Sequence, residues 1–313
     1  MLMARTLLMA VAAGLSGCAT PVLNHRYPPI GDMVEVNGQT LHLVDAGPEH
    51  DPEGPPLILV HGANSNLRDF ESSIAPLLRQ HHRVMTVDRP GFGHSPRHRG
   101  QWQDPAQLAD LILTAAEQRG IEQAVLIGHS WAGSITMAAL VEHGQRIRGG
   151  ISLSGAAGHW AGGPDWDHAL AGWPIIGPLF AHTVLWPAGS VILDSAVAGV
   201  LEPNPVPENY SEKIAASLAL RGGTFLANGR DMRELSEWLQ NFSPRYRDIR
   251  QPLLFLHGAA DELVPWWNHG QRVLPVVPHA QAQLLDGVGH SPHHAVPEEL
   301  AKRISAWARS LPE

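Results

Sequence analysis

The stretch Ala124-Val125-Leu126-Ile127-Gly128-His129-Ser130-Trp131-Ala132-Gly133 runs from an unbroken apolar tetrad into a serine with glycines close on either side. The tetrad reads as a buried strand, and the small residues allow the chain to turn sharply into a helix. Ser130 falls at the apex, in a pattern of the G-x-S-x-G kind. A serine there cannot lie flat in a regular element. Its hydroxyl is pushed above the sheet edge, where a substrate carbonyl can reach it.

Working outward, similar apolar runs recur at Leu57–Val60, Val84–Val87, Ile151–Leu153 and Leu253–Leu256. They are too apolar for a half-exposed sheet and read as buried parallel strands. Asp104 to Arg119 carries Leu108, Leu111, Ile112 and Ala115 at helical spacing, behind an Asp104-Pro105 start suited to an N-cap and first turn. Met33–Val36 and Leu41–Val44 alternate around Asn37-Gly38, a hairpin signal. The expected fold is therefore α/β: a mostly parallel twisted sheet with helices on both faces. The alternation stops between Gly155 and Tyr246, where tryptophans (Trp160, Trp166, Trp173, Trp186), prolines and short helical pieces such as 208–220 suggest a helical lid. The expected division is a core over 31–154 and 247–313 with a lid insertion over 155–246.

A serine hydroxyl needs a base, and the base needs an orienting acid. Asp261 follows the strand ending at His257-Gly258, and His290 follows the alternating run 282–285. Both sit in loops at strand carboxyl ends, as Ser130 does, so one sheet edge can gather all three. Glu262 and Asp286 are competing acids. An oxyanion hole is expected from the amide N–H groups of Ala63, in His61-Gly62-Ala63-Asn64, and of Trp131. His61 reads as a loop hydrogen bonder rather than a second base.

With these residues assembled, the chain resembles the α/β-hydrolase superfamily from about Val34 to the C-terminus. The resemblance runs through His61-Gly62, the segment Asp88 to Ser95, the elbow at Ser130, Asp261 and His290. It implies acyl transfer through an acyl-enzyme on Ser130 without metal or organic cofactor. Ser130 also sets the chain apart from the epoxide hydrolases and haloalkane dehalogenases of this fold, which carry aspartate at the elbow. The histidines at 293 and 294 read as surface or loop residues, their spacing with His290 matching no helical zinc pair. Carboxylic esters of apolar small molecules are the expected substrates, with Trp166 and Trp173 of the lid expected against them. Two other readings stand beside this one. One is an aminopeptidase resembling proline iminopeptidases, with Glu202, Glu208 and Glu212 as candidates for holding an amino terminus. The other is a catalytically idle binding protein on the same fold.

Composition bounds the partners and the location. A formal net charge of -8, with no basic tract, excludes nucleic acid as a partner. A basic start, an apolar run over 6–13 and Leu15-Ser16-Gly17-Cys18 resemble the signal and lipobox of bacterial lipoproteins. The hydrophobic run is too short to span a bilayer. That resemblance implies a signal peptide over 1–17, lipidation at Cys18 and a tether over 18–30. With Ala19 rather than Asp next, it implies the outer membrane, facing the periplasm.

Overall fold

The chain, described by a computed structural model over residues 19–48, 50–97, 101–161 and 171–312, is built on eight strands. They are β1 (Asp32–Val36), β2 (Gln39–Ala46), β3 (Leu57–Val60), β4 (Val84–Val87), β5 (Ala124–His129), β6 (Ile147–Leu153), β7 (Leu253–Gly258) and β8 (Gln281–Leu285). Their order is β1-β2-β4-β3-β5-β6-β7-β8; β1 and β2 pair antiparallel, β2 joins β4 antiparallel, and every later pair is parallel. The hairpin turns on Asn37 and Gly38, both at positive φ, 51° and 78°. Two consecutive positive φ angles make a type I′ turn, whose twist matches that of the strands.

The two-residue period of the strands divides the core into two layers. Ile58, Val60, Ala124 and Leu126 face one layer, which is closed by Leu108 and Ile112 of one helix and by Ile135 and Ala139 of another. Leu57, Leu59, Val125 and Ile127 face the other, closed by Phe70, Ile74, Leu300 and Ile304. Because both faces are covered, all positions of β3, β4 and β5 are buried, which is why they are apolar but for Thr86 and His129.

Seven helices matter here: α1 (Ala19–Arg26), α2 (Pro105–Gln118), α3 (Gly133–Glu142), α4 (Ile176–Thr183), α5 (Leu185–Gly199), α6 (Gly222–Phe242) and α7 (Pro297–Arg309). At the start of α2, the Asp104 carboxylate accepts from the Gln107 N–H at 2.8 Å, and Gln107 Oε1 accepts from the Asp104 N–H at 3.1 Å. The cap closes the helix start and sets its first turn.

The expected tether is a correction. Residues 19–26 form α1, and Leu23 and Tyr27 lie buried against Ala215 and Leu218. Tyr27 and Arg26 both reach Glu212 at 2.6 Å. A pair of apolar side chains one turn apart is enough to dock a short helix, but it leaves no periodic signal in eight residues. The piece expected as a helix over 208–220 is also broken. It forms a turn at Tyr210–Lys213 and a 3₁₀ stretch at Ala216–Leu220, split by Ala215 at φ 50°. Between β6 and β7, α4, α5 and α6 are inserted without any strand among the described residues.

Candidate active site

β5 ends at His129, and Ser130 follows at φ 53°, a left-handed conformation that costs a serine energy. The turn is tight enough that a Cβ on Gly128 would meet the Ala132 carbonyl oxygen at 2.0 Å. Ala132 stands where a strict G-x-S-x-G pattern has its second glycine. The second close approach falls one residue later, where a Cβ on Gly133 would lie 2.5 Å from the Gly155 Cα. The strain lifts the Ser130 hydroxyl to the carboxyl edge of the sheet, as the sequence implies.

His290 arrives from the loop after β8 and Asp261 from the loop after β7. His290 Nε2 is 2.9 Å from Ser130 Oγ, and His290 Nδ1 is 2.8 Å from Asp261 Oδ2. A carboxylate only accepts, so Nδ1 carries the ring proton and Nε2 is left to accept from the serine hydroxyl. The second carboxylate oxygen, Oδ1, accepts the N–H groups of Leu263 and Val264 at 3.0 and 2.9 Å. Burial alone would raise the Asp261 pKa. Hydrogen bonds from His257 and His290, the His290 charge and the Val264 N–H outweigh it and hold the carboxyl well below the usual range. Asp261 is the acid that reaches His290, rather than Glu262 or Asp286.

The loop after β3 closes over the serine. A Cβ on Gly62 would lie 2.8 Å from Ser130 Cβ and 3.3 Å from its Oγ. Ala63, next to Gly62, lines the cavity together with Ser130, and Trp131 follows Ser130 in the chain, so both main-chain N–H groups come from the segments that meet at the hydroxyl. His61 is buried within this loop. Its Nδ1 pairs with the Gly62 carbonyl at 2.9 Å, and its Nε2 accepts from the Arg89 N–H at 3.0 Å. Burial, with Arg89 adding to it, lowers its pKa to about 4, which keeps the ring neutral. Asp88 accepts from His42 Nδ1 at 2.6 Å and from the Leu67 and His94 N–H groups at 2.7 Å each, so the Asp88 to Ser95 segment braces the sheet edge.

Two networks carry residues to which sequence reasoning assigns no role. Arg89 is fully buried and donates to the Gly62 carbonyl at 2.8 Å and the His61 carbonyl at 3.2 Å. Its guanidinium lies 4.3 Å from the Trp131 ring centre and pairs with Asp231 of α6 at 2.9 Å. Arg97 shares Asp231 at 2.7 Å. Burial lowers the Arg89 pKa to about 10, with Asp231 opposing, so it remains a cation at neutral pH. The second network corrects the expectation for His293 and His294. His293 is buried and His294 half-buried with its ring covered, and their Nε2 atoms reach Asp69 at 3.2 and 2.7 Å. Burial opposes the Asp69 charge, but the two histidines outweigh it and hold its pKa well down. Asp69, His129 and His293 present donor atoms within 4.8 Å of one another, the group among the described residues that could converge on a cation. Asp69 already contacts both histidines, so the cluster closes as a buried carboxylate–histidine network.

Above Ser130 and His290 lies a cavity of about 480 Å³. Its walls are mainly aliphatic and aromatic, including Phe180, Leu185, Ile192, Val197, Leu220 and Phe225. Most come from α4, α5 and the residues leading into α6. Trp173 is 54 % exposed and does not line this cavity, so the tryptophan expected against substrate faces outward. Trp166 and Cys18 lie outside the described residues. None of Glu202, Glu208 and Glu212 lines the cavity, and Glu212 is taken by Arg26 and Tyr27.

A serine, a histidine and an aspartate so disposed at the carboxyl edge of an eight-stranded α/β sheet are the groundwork of a hydrolase. The profile of the alpha/beta hydrolase family matches residues 57–303, and the chain belongs to that family. It is 26% identical over 280 residues to the pimeloyl-[acyl-carrier protein] methyl ester esterase of Shewanella woodyi, covering 86% of this chain and 97% of that one. Among solved structures, it is similar to a thermophilic esterase from Thermogutta terrifontis, with a TM-score of 0.70, 20% identity and coverage of 89% and 98%. It is also similar to a membrane phospholipase A described as a bacterial virulence factor, with a TM-score of 0.66, 20% identity and coverage of 98% and 94%. These structural likenesses concern the fold.

Proposed function

We propose that the chain is a serine hydrolase that cleaves carboxylic esters with an apolar acyl group, through an acyl-enzyme on Ser130. The observation that carries this reading is the continuous line Asp261–His290–Ser130, at 2.8 and 2.9 Å, opening into an apolar cavity. His290 takes the serine proton as Ser130 attacks the ester carbonyl, and Asp261 stabilises the imidazolium that forms. The Ala63 and Trp131 N–H groups receive the developing oxyanion; loss of one such donor typically costs ~2.7–4 kcal/mol. Collapse expels the alcohol, protonated by His290. Water, activated by the same ring, then releases the acid. The methyl ester named for the Shewanella relative agrees with this chemistry. The residues between β6 and β7 act as the lid, and the apolar character of their inner wall favours esters over a charged amino terminus.

In the same reading, Cys18 carries lipid and holds the enzyme at the outer membrane, facing the periplasm. Two acyl chains at ~0.8 kcal/mol per buried CH₂ give stable anchoring. The test combines fluorophosphonate labelling with turnover of short and long acyl esters and of aminoacyl amides, in the parent and in Ser130→Ala. Labelling and ester turnover should vanish in the variant while its circular dichroism stays unchanged. Persistent labelling of the folded variant, or turnover of amides in preference to esters, would overturn the assignment. A mature N-terminus with unmodified Cys18 in mass spectrometry would remove the anchor alone.

A further inference from the structure

The two helices that roof the cavity present a second apolar face, on the side away from Ser130. Ile175 is 80 % exposed, Leu179 60 %, Val191 82 % and Ile192 61 %, and Ile176 and Val184 join them. Side chains of this size are normally exposed singly, and a contiguous set on a roof marks a contact surface. From residue 175 to 200 the ionisable side chains are His182 and Asp194 alone. Ile192 belongs to both faces, since it is exposed and also lines the cavity, so the cavity meets the outer apolar surface there. Trp173 stands at the start of the same stretch, and an exposed indole there suits a boundary between water and lipid.

The course of the N-terminus says what this surface meets. Val22, Leu23 and Arg26 of α1 share a groove with Trp186, Ser190 and Leu193 of α5. Cys18, the residue proposed to carry lipid, immediately precedes Ala19, the first residue of α1, so a lipid there is joined to a helix that packs beside α5. No single helix among the described residues is long and apolar enough to cross a membrane; α4 and α5 are so only when taken together, and they are bent by 73° at their break. Both also give side chains to the cavity wall, which holds them on the body. Such helices lie on a lipid surface rather than crossing it.

We propose that the outer face of α4 and α5 rests on the lipid bilayer, so that the cavity opens into it and an acyl chain enters from the lipid side. The substrate class is then a membrane-borne acyl ester, and this part of the inference rests on the ester-hydrolase reading above. Docking itself does not.

The experiment separates the two. Cys18 is the single cysteine of the chain and is blocked when lipidated, so Val191→Cys accepts a fluorophore selectively. In the full-length protein on vesicles of phosphatidylethanolamine and phosphatidylglycerol, a probe at 191 should be quenched by nitroxides carried on the lipid. A probe at Lys302→Cys, on the exposed side of α7, should not be. In parallel, the triple variant Ile175→Ser, Leu179→Ser, Val191→Ser should lose about tenfold or more in turnover of a long-chain ester held in vesicles. It should keep turnover of a dissolved short ester within about twofold. Equal quenching at both positions, or none at 191, overturns the docking. So does self-quenching at 191 without vesicles, which would assign the face to a second copy of the chain. Equal losses on vesicle-borne and dissolved esters overturn delivery from the lipid. If the parent turns over neither ester while 191 is quenched, the ester reading fails and the docking stands.

Discussion

Replacing Asp231 by asparagine should weaken both the fold and the reaction, because this one carboxylate joins α6 to the loop over the nucleophile. It lies fully buried and accepts from Arg89 at 2.9 Å and from Arg97 at 2.7 and 3.0 Å. Asparagine keeps the shape but leaves two buried cations without a counter-charge. Breaking a buried ion pair in this way costs about 3–5 kcal/mol. With an unfolding entropy of roughly 2 cal/mol/K per residue, a chain of this length loses about 5–8 °C in Tm. The Trp131 indole donates to the Asp231 main-chain carbonyl at 3.1 Å, and that link survives the substitution, so the change isolates the charge. Arg89 also holds the Gly62 and His61 carbonyls, so its displacement should move the Ala63 N–H. Losing part of one oxyanion donor should lower kcat by about 10- to 100-fold with a smaller change in KM. Thermal unfolding by circular dichroism and steady-state kinetics on a dissolved ester measure the two effects. An unchanged Tm would refute the ion-pair reasoning, and a lowered Tm with unchanged kcat would show that the brace does not reach the oxyanion loop.

Acid should destabilise the chain before it reaches the carboxylate range. His61 and His269 are held neutral by burial down to about pH 4. An unfolded histidine takes up its proton near ~6.5, so the unfolded state binds more protons between these values and stability falls with pH there, by up to roughly 3 kcal/mol for each ring. Tm measured from pH 7 to pH 4 should decline across that interval, and a flat profile would contradict the burial argument. Gly62→Ala would place a methyl 2.8 Å from Ser130 Cβ. It should cost about 10- to 100-fold in kcat, and turnover equal to the parent would show that the loop yields freely. Ala196→Phe fills part of the cavity and should lower kcat/KM for long acyl esters by about tenfold or more while sparing acetates; a uniform loss would place the acyl chain elsewhere.

The sheet was legible because its strands are buried on both faces, and such strands leave continuous apolar runs that a single sequence displays. The meeting of Ser130, Asp261 and His290 was legible for a different reason: each follows such a run, and the carboxyl ends of parallel strands share one edge. Asp69 and Asp231 were not legible. Each is one more charged residue in a helical stretch, and its meaning comes from His293, His294, Arg89 and Arg97, which lie far away in the chain. The inserted helices were recognisable only as a break in the alternation. Which tryptophans face inward depends on how the short helices pack, and Trp173 turned outward for that reason. The apolar part of the docking of α1 rests mainly on Leu23 and Tyr27, too little for a periodicity to register.

The order of the strands has a consequence for how the chain reaches its native state. β6 and β7 are neighbours in the sheet but are separated by roughly 100 residues of intervening chain. Closing a flexible loop of that length costs about 4 kcal/mol in entropy, little more than closing one half as long. Time is the greater difficulty. Until β7 arrives, β6 offers Ile151 and Leu153 beside an unpaired row of amide and carbonyl groups, the kind of edge onto which another unfinished chain can add. Refolding from denaturant should therefore lose yield steeply as protein concentration rises, even though the completed sheet has this edge fully covered.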